Sequence, residues 1–352
     1  MSPLHVCLIG PIPPPWGGVE THMMGLRDHL LARGARCSVV NLTRHRQPTH
    51  DDLYFPSTAK EVLSTINALN PDVVHMHFGG GLFARQAALF AVLSLRPRTA
   101  NVFTFHSGGF PSSAEGQRAK PWSLRGFALR RLDAVIAVNQ ELVNTFRKYG
   151  VHEDRLFLIE PSGAQVDRDA IAREQLSPEM DAFARLHALL LVTVAQLEPE
   201  YGIDVQIAAF REIRREHPDA GLMILGGGSL HESMQQQIAS HPERAHILLC
   251  GNVPRPKTLA LMARASLLLR TTHYDGDALS IREALAMGTR VLATDNGMRP
   301  AGVSLLKTLE PSALAQAITP ALTASPAAII VDAGNPMDKV LALYGQLRSR
   351  FA

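Results

Sequence analysis

The sequence predicts an α/β protein of two doubly wound domains, each a parallel sheet covered by helices on both faces. Three observations carry this. Short Val/Ile/Leu runs alternate with amphipathic stretches along the chain, the pattern of βα units around a sheet buried on both sides. The chain has 352 residues, more than one core usually organises at roughly 100 to 200 residues per domain. The alternation stops once, at a polar and irregular segment from Pro161 to Glu179, and then restarts, which marks the interdomain connection. The expected division is a first domain over residues 1–164, a second over 165–334 and a closing helix over 335–352 that packs back on the first.

In the first domain the strand runs begin at His5, Arg36, Asp72, Asn101 and Ala134. The first helix is read from Met23, Leu26 and Leu30, which fall on one face at helical spacing, and from Gly34, which stands where a left-handed cap is needed. The second domain gives strands near Leu189–Val194, Leu222–Leu225, His246–Cys250, Ser266–Leu269 and Arg290–Ala293. Its last periodic segment, Met337 to Phe351, is a helix with no strand after it.

Composition narrows the function. Hydrophobic residues make up 46% and charged residues 19%, too apolar for a disordered scaffold. The formal charge is only +3, so the strong positive field of a nucleic-acid binder is missing. Cys7, Cys37 and Cys250 form no CxxC pair, which suits a reducing compartment, the cytoplasm by default. The apolar N-terminal stretch runs into Pro11, Pro13, Pro14 and Pro15 and reads as a strand rather than a signal peptide. The longest uncharged run, Pro311 to Val331, contains Pro320 and is diluted by Ser, Thr and Gln, so no membrane span is expected.

Charge is unevenly placed. Residues 1–162 hold 17 Lys+Arg and 12 Asp+Glu, net +5, whereas the remainder holds 18 and 20, net −2. The basic side chains concentrate at Arg118, Lys120, Arg125, Arg130 and Arg131, interleaved with Trp122, Leu124, Phe127 and Leu129. A helix of this pattern either turns its apolar stripe to the core and its basic face to water, the preferred reading, or lies on anionic lipid.

Parallel sheets place ligands at the carboxyl ends of their strands, and four strand-to-helix turns stand out. In the first, Gly17 and Gly18 can present backbone N–H groups to an anion. The second, Thr104-Phe105-His106-Ser107-Gly108-Gly109, puts His106 at a strand end, while His75 and His77 share one strand face earlier. No carboxylate or cysteine joins these histidines at ligand spacing, so no metal site is expected. The third is Leu225-Gly226-Gly227-Gly228-Ser229, which matches neither a dinucleotide fingerprint nor a P-loop. The fourth runs from Tyr274 to Gly288. Asp275 lies in its turn and Glu283 in the following helix, so both carboxylates can flank the helix N-terminus, where free N–H groups favour phosphate. That suits a sugar on one side and a ribose on the other. Asp275-Gly276-Asp277 also spells DxD, but here it opens a helix of a second α/β domain and is not read as a metal-diphosphate site.

Taken together these residues resemble the retaining glycosyltransferases of family 4, enzymes of the two-domain GT-B fold whose Rossmann-like halves face across a cleft. The resemblance spans Gly-Gly-Val-Glu at 17–20, Asp72-Val73-Val74-His75-Met76-His77, Thr-Phe-His-Ser at 104–107 and Glu283-Ala284-Leu285-Ala286-Met287-Gly288, the last matching the E-x(7)-E signature with Asp275 at its first Glu. It implies that Gly17 and Gly18 approach the donor diphosphate and that His106 bonds the donor sugar. Asp275 would hold sugar hydroxyls, N–H groups around Ala278, Leu279 and Ser280 would meet sugar or diphosphate, and Glu283 would bind the ribose. Gly226 and Val253 would lie beside the base. It also implies a metal-independent, retaining transfer with no cofactor. The first domain would hold the acceptor, a saccharide that the resemblance and the basic first half suggest is lipid-linked at the cytoplasmic membrane face, and the second a nucleotide-diphosphate sugar.

The chain departs from the family at one place. An Arg and a Lys usually follow the first strand of the second domain and neutralise the diphosphate; here Gln196 and Tyr201 stand there. Losing such an electrostatic partner commonly costs a factor of about a hundred or more in rate. Arg270 and Arg282 are the candidate replacements. The alternatives are a binding or regulatory protein that kept the fold and lost catalysis, and a nucleotide-sugar epimerase of the same architecture.

Overall fold

The computed structural model describes residues 3–12, 17–43, 51–96, 98–160, 168–273, 278–297, 299–324 and 335–350. Two compact units form: Met1–Ser162 together with Gly334–Ala352, and Gly163–Ala333.

In chain order the first unit contains β1 (His5–Gly10), α1 (Gly18–Ala32), β2 (Arg36–Asn41), β3 (Leu53–Tyr54), α2 (Ala59–Leu69), β4 (Val73–Phe78) and α3 (Ala84–Leu93). It continues with β5 (Ala100–Phe105), α4 (Ala114–Gln117), α5 (Leu124–Leu129), β6 (Ala134–Ala137), α6 (Gln140–Lys148) and β7 (Leu156–Leu158). Its sheet has the order β3-β2-β1-β4-β5-β6-β7, with parallel pairing throughout the described strands. Strands β1 and β5 are buried at every position, as a sheet covered on both faces requires. On α1 the buried side chains are Met23, Leu26 and Leu30, and Gly34 has φ +77°, the left-handed turn that the periodicity requires. Thr58 and Asn139 cap α2 and α6 by accepting from the N–H groups of Glu61 and Leu142.

The second unit comprises α7 (Arg168–Arg173), α8 (Pro178–Leu186), β8 (Leu189–Val194), α9 (Ile203–Glu216), β9 (Ala220–Leu225), α10 (His231–Ser240) and β10 (Ile247–Gly251). Then follow α11 (Arg255–Arg264), β11 (Leu267–Arg270), α12 (Leu279–Met287), β12 (Arg290–Thr294), β13 (Val303–Leu306) and α13 (Pro311–Thr323). The sheet order is β10-β9-β8-β11-β12-β13, again with parallel pairing. Finally α14 (Pro336–Ser349) belongs to the first unit. It packs against α1 and β5 and buries Val340, Leu343, Tyr344 and Leu347 in a cluster with Val6, Leu8, Met23 and Leu26.

Several elements differ from the sequence reading. Three short strands, β3, β7 and β13, add to the sheets; each has two to four residues and stands at a sheet edge with mixed burial, so it lacks the two-sided cover that marks a central strand as an apolar run. Within the segment read as irregular from Pro161 to Glu179, residues 161–167 lie outside the described part, and helix α7 and the start of α8 occupy much of the rest. The basic stretch is the clearest correction. Its apolar side chains do not all face the core: Trp122 is 88% exposed, Leu124 57% and Phe127 49%, while Ala128 and Leu129 are buried. The helix here spans only Leu124–Leu129, too short a stripe to bury every apolar residue on either side of it. Among the described residues no helix is long and apolar enough to cross a membrane.

Candidate active site

In an open parallel sheet, ligands sit at the carboxyl edge where the strand order reverses. The second sheet reverses between β8 and β11. Chain leaving β8 passes Gln196, which is exposed, and enters a 3₁₀ turn, Pro199–Tyr201. Arg270 ends β11 alongside. Its Nη1 donates to the Val194 carbonyl at 2.8 Å, and its guanidinium lies 5.0 Å from the centre of the Tyr201 ring, a cation–π distance. A cation therefore stands at the turn where Gln196 and Tyr201 replace the family's Arg and Lys. One strand further, Gly226 has φ +141°, and a Cβ there would fall 1.7 Å from the Ala195 carbonyl oxygen. The β8 and β9 turns run in contact at this point, and only glycine permits it. Val253 lies beyond β10, half-buried, with its carbonyl accepting from Thr258 Oγ1 at 3.2 Å.

Helix α12 begins at Leu279 after Ala278, whose side chain provides no cap; Ser280 in its first turn is buried. Among the described residues its N-cap position therefore supplies no side-chain cap, a situation that favours an anion. Glu283 follows in the second turn with its side chain 7% exposed. Arg255, at the start of α11, donates to one oxygen of this carboxylate twice, from Nη2 at 2.7 Å and Nε at 3.1 Å to Oε1. Among the described residues Oε2 takes no hydrogen bond, so it can accept from a ligand hydroxyl. Burial pushes the Glu283 carboxyl above the ordinary range, and Arg255 offsets this only in part. Arg282 is half-buried on the same helix. Asp275 lies outside the described residues, together with Tyr274, Gly276 and Asp277. Sequence reasoning missed Arg255, whose Pro-flanked position in Pro254-Arg255-Pro256 gives no sign that α11 lies beside α12.

The first sheet reverses between β1 and β4. Gly17 stands at the entry to α1 and has no side chain to cap it, while the Glu20 carboxylate folds back to within 2.5 Å of where a Gly17 Cβ would project; Gly18 is the first helical residue, with open space at its Cβ position. His22 follows one turn later. His77 near the end of β4 and His106 just past β5 bring Nδ1 and Nε2 to 3.1 Å. The His22 ring centre lies 4.8 Å from that of His106 and 5.5 Å from that of His77. Below them, 3.9 Å from His77, His75 bonds Thr104 Oγ1 at 2.7 Å and the Tyr344 hydroxyl. Burial holds all four imidazoles neutral: it pulls His22 down to about 4 and the other three well below the usual histidine range. His22 is the second residue the sequence leaves unmarked, since Thr21-His22-Met23 reads only as amphipathic helix.

The structure thus groups Gln196, Tyr201, Gly226 and Arg270 at the β8 end, and Ala278, Leu279, Ser280 and Glu283 on the leading half of α12. In the first unit His106 joins His22 and His77. Two parallel α/β units with chemistry-bearing turns at their carboxyl edges define the GT-B class. Residues 16–162 match the family described as Glycosyltransferase Family 4, and residues 183–324 match Glycosyl transferases group 1. The chain belongs to glycosyltransferase family 4. It is 25% identical over 242 residues to the glycogen synthase of Mycobacterium tuberculosis, covering 67% of this chain and 55% of that protein; it spans about half the length of that relative. It is 22% identical to a phosphatidylinositol N-acetylglucosaminyltransferase chain of Arabidopsis thaliana over 93% of this chain and 76% of the relative. Among solved structures, Anabaena HepE in complex with UDP and glucose aligns over 99% of this chain and 100% of its own, with TM-score 0.72 at 16% identity.

Proposed function

We propose that the protein is a retaining, metal-independent glycosyltransferase that moves a sugar from a nucleoside-diphosphate donor, held by the second unit, to a saccharide acceptor held by the first. The observation that carries this reading is Glu283: a buried carboxylate with one oxygen fixed by Arg255 and the other unbonded among the described residues, in the second turn of a helix whose N-cap residue, Ala278, supplies no side-chain cap. That arrangement suits a ribose hydroxyl and a neighbouring diphosphate. The acceptor oxygen bonds to the anomeric carbon as the bond from that carbon to the diphosphate breaks, on the same face, and the departing phosphate oxygen takes the acceptor proton. The α12 N-terminus and Arg270 meet the charge that develops on the leaving group. Asp275 keeps the sugar-binding role that the family resemblance gives it, and Gly17, Gly18 and His106 theirs.

The acceptor is proposed to be lipid-linked and reached from the cytoplasmic face of a membrane, in polysaccharide or glycoconjugate assembly. Support comes from the α5 region, where the guanidinium of Arg130 lies 5.6 Å from the exposed Trp122 ring and that of Arg131 5.3 Å from Phe127. Cations stacked on exposed aromatic rings fit an anionic interface.

Purified protein incubated with uridine, guanosine and adenosine diphosphate sugars should release nucleoside diphosphate only when acceptor is present. Binding without release would return the chain to the class of catalytically silent binding proteins, and donor conversion without acceptor to the epimerases. Arg270→Ala should lower turnover by about a hundredfold; turnover and donor affinity unchanged in both Arg270→Ala and Arg282→Ala would remove the compensation. Association with vesicles should rise with anionic lipid, fall with salt and largely disappear in Trp122→Ser/Phe127→Ser; indifference to all three removes the membrane step.

A further inference from the structure

We infer that His22, His77 and His106 form a three-histidine site for a divalent transition metal of the zinc class. Each can offer one ring nitrogen, and these donor atoms lie within 4.8 Å of one another. The closest pair, His77 Nδ1 and His106 Nε2 at 3.1 Å, is near the roughly 3.3 Å that two nitrogen ligands of a tetrahedral zinc keep at bond lengths of about 2.0–2.1 Å. The three come from α1, from β4 and from the residue after β5, so packed elements rather than a loose loop fix their spacing.

His77 Nε2, on the far side of the ring from the proposed donor Nδ1, has no hydrogen-bond partner among the described residues, so no competing bond is shown to hold this ring away from the ion. His75 is not a fourth ligand: its two nitrogens are committed to Tyr344 and Thr104, and it serves to lock the β4 backbone beneath His77. Among the described residues no carboxylate belongs to the group. Imidazole-only coordination selects Zn²⁺, Cu²⁺, Ni²⁺ or Co²⁺ over Mg²⁺ and Mn²⁺, which prefer oxygen. With three protein ligands, one position is left for water or an anion.

The sequence reading expects no metal because no carboxylate or cysteine joins His75, His77 and His106 at ligand spacing; the third ligand in the structure is His22 of helix α1, in place of His75. The consequence for turnover rests on the transferase reading: a metal that holds His106 takes it from the donor sugar, so Zn²⁺ should inhibit transfer while the unloaded protein needs no metal.

The test uses the full chain, stripped of metal, titrated with Co²⁺ alone in excess Mg²⁺. One equivalent should bind with the visible d–d absorption of a four-coordinate nitrogen site, Zn²⁺ should displace it, and Zn²⁺ should raise Tm. His22→Ala and His106→Ala, each checked for folding by circular dichroism, should weaken Zn²⁺ binding by roughly a hundredfold or more, whereas His152→Ala, at an exposed surface histidine, should leave it unchanged. No stoichiometric Co²⁺ spectrum, or Zn²⁺ affinity unaltered in both ligand variants, overturns the inference and leaves the transferase reading standing. Tight binding in a protein that transfers no sugar keeps the site and removes only its inhibitory role.

Discussion

The ribose-binding role proposed for Glu283 would set function and stability in opposition at a single side chain. Its carboxyl is raised above the ordinary value of 4.5 because desolvation outweighs the Arg255 pairing. Between that value and its higher folded one, the native state binds more protons than the unfolded chain, so this group's contribution to stability falls as pH rises through the window, and a constant cost remains above it. Glu283→Gln removes the titration and keeps the shape. The melting temperature of the variant relative to wild type should therefore be most favourable near pH 7 and should decline as pH is lowered toward 4.5, while donor affinity falls by roughly ten- to a hundredfold from the loss of a charged hydrogen bond. Thermal melts across this range check the first part and nucleotide titration the second; a gap in melting temperature that does not move with pH would contradict the burial argument. Residues of this kind are legible in sequence where a strand end announces them, as it does for His106 and Gly226. His22 and Arg255 are not, because a helical residue becomes part of a site through the neighbour its face meets, and neither neighbour is near it in the chain.

At the scale of elements, α5 shows how a short helix is held to present an unfavourable face. Ser123 caps it by accepting from the Gly126 N–H at 3.1 Å and donating to the Lys120 carbonyl at 2.7 Å. Gly126 then seats it, for a Cβ there would lie 2.6 to 2.8 Å from the carbonyl oxygens of Pro121, Lys120 and Tyr149. Backbone on three sides cannot step aside as a flexible side chain could. Gly126→Ala should therefore lift the helix and destabilise the protein by about 1–3 kcal/mol, whereas Trp122→Ser, at a position 88% exposed, should stay within about 0.5 kcal/mol of wild type. Equal stability of the two in urea unfolding would show that the helix is not fixed through Gly126. The same contrast explains which elements the sequence reveals. Central strands such as β1 and β8 are apolar runs because both faces are covered, and their order follows. The Arg118–Arg131 segment has helical periodicity too, but periodicity states that apolar residues share a face and does not state that the face is buried.

For the whole molecule, the informative feature is that the first unit is discontinuous in sequence. Helix α14 returns to it after the entire second unit, adding Val340, Leu343, Tyr344 and Leu347 to the core on one side of the first sheet. The Tyr344 hydroxyl also bonds His75, Arg348 lies 3.3 Å from Asp72, and Asp338 pairs with His29 at 2.9 Å and Arg33 at 2.8 Å. The exposed ion pairs add little. Burial of the four side chains is larger, at about 1.5–3 kcal/mol for each fully buried apolar side chain of this size, and its sum is comparable to the roughly 5–15 kcal/mol by which a domain is stable. The second unit has a core of its own, closed by α9 and α13. A chain ended at residue 324 should therefore lose one unit and keep the other. In hydrogen exchange, the amides of β1, β4 and β5 should exchange as in an unfolded chain, while those of β8, β9 and β11 retain wild-type protection. Adding a peptide of residues 335–350 in excess should restore protection to the first set, because the helix then binds the surface it left. Full protection of β1, β4 and β5 without the peptide would mean that the first unit's core is complete without the residues that return to it.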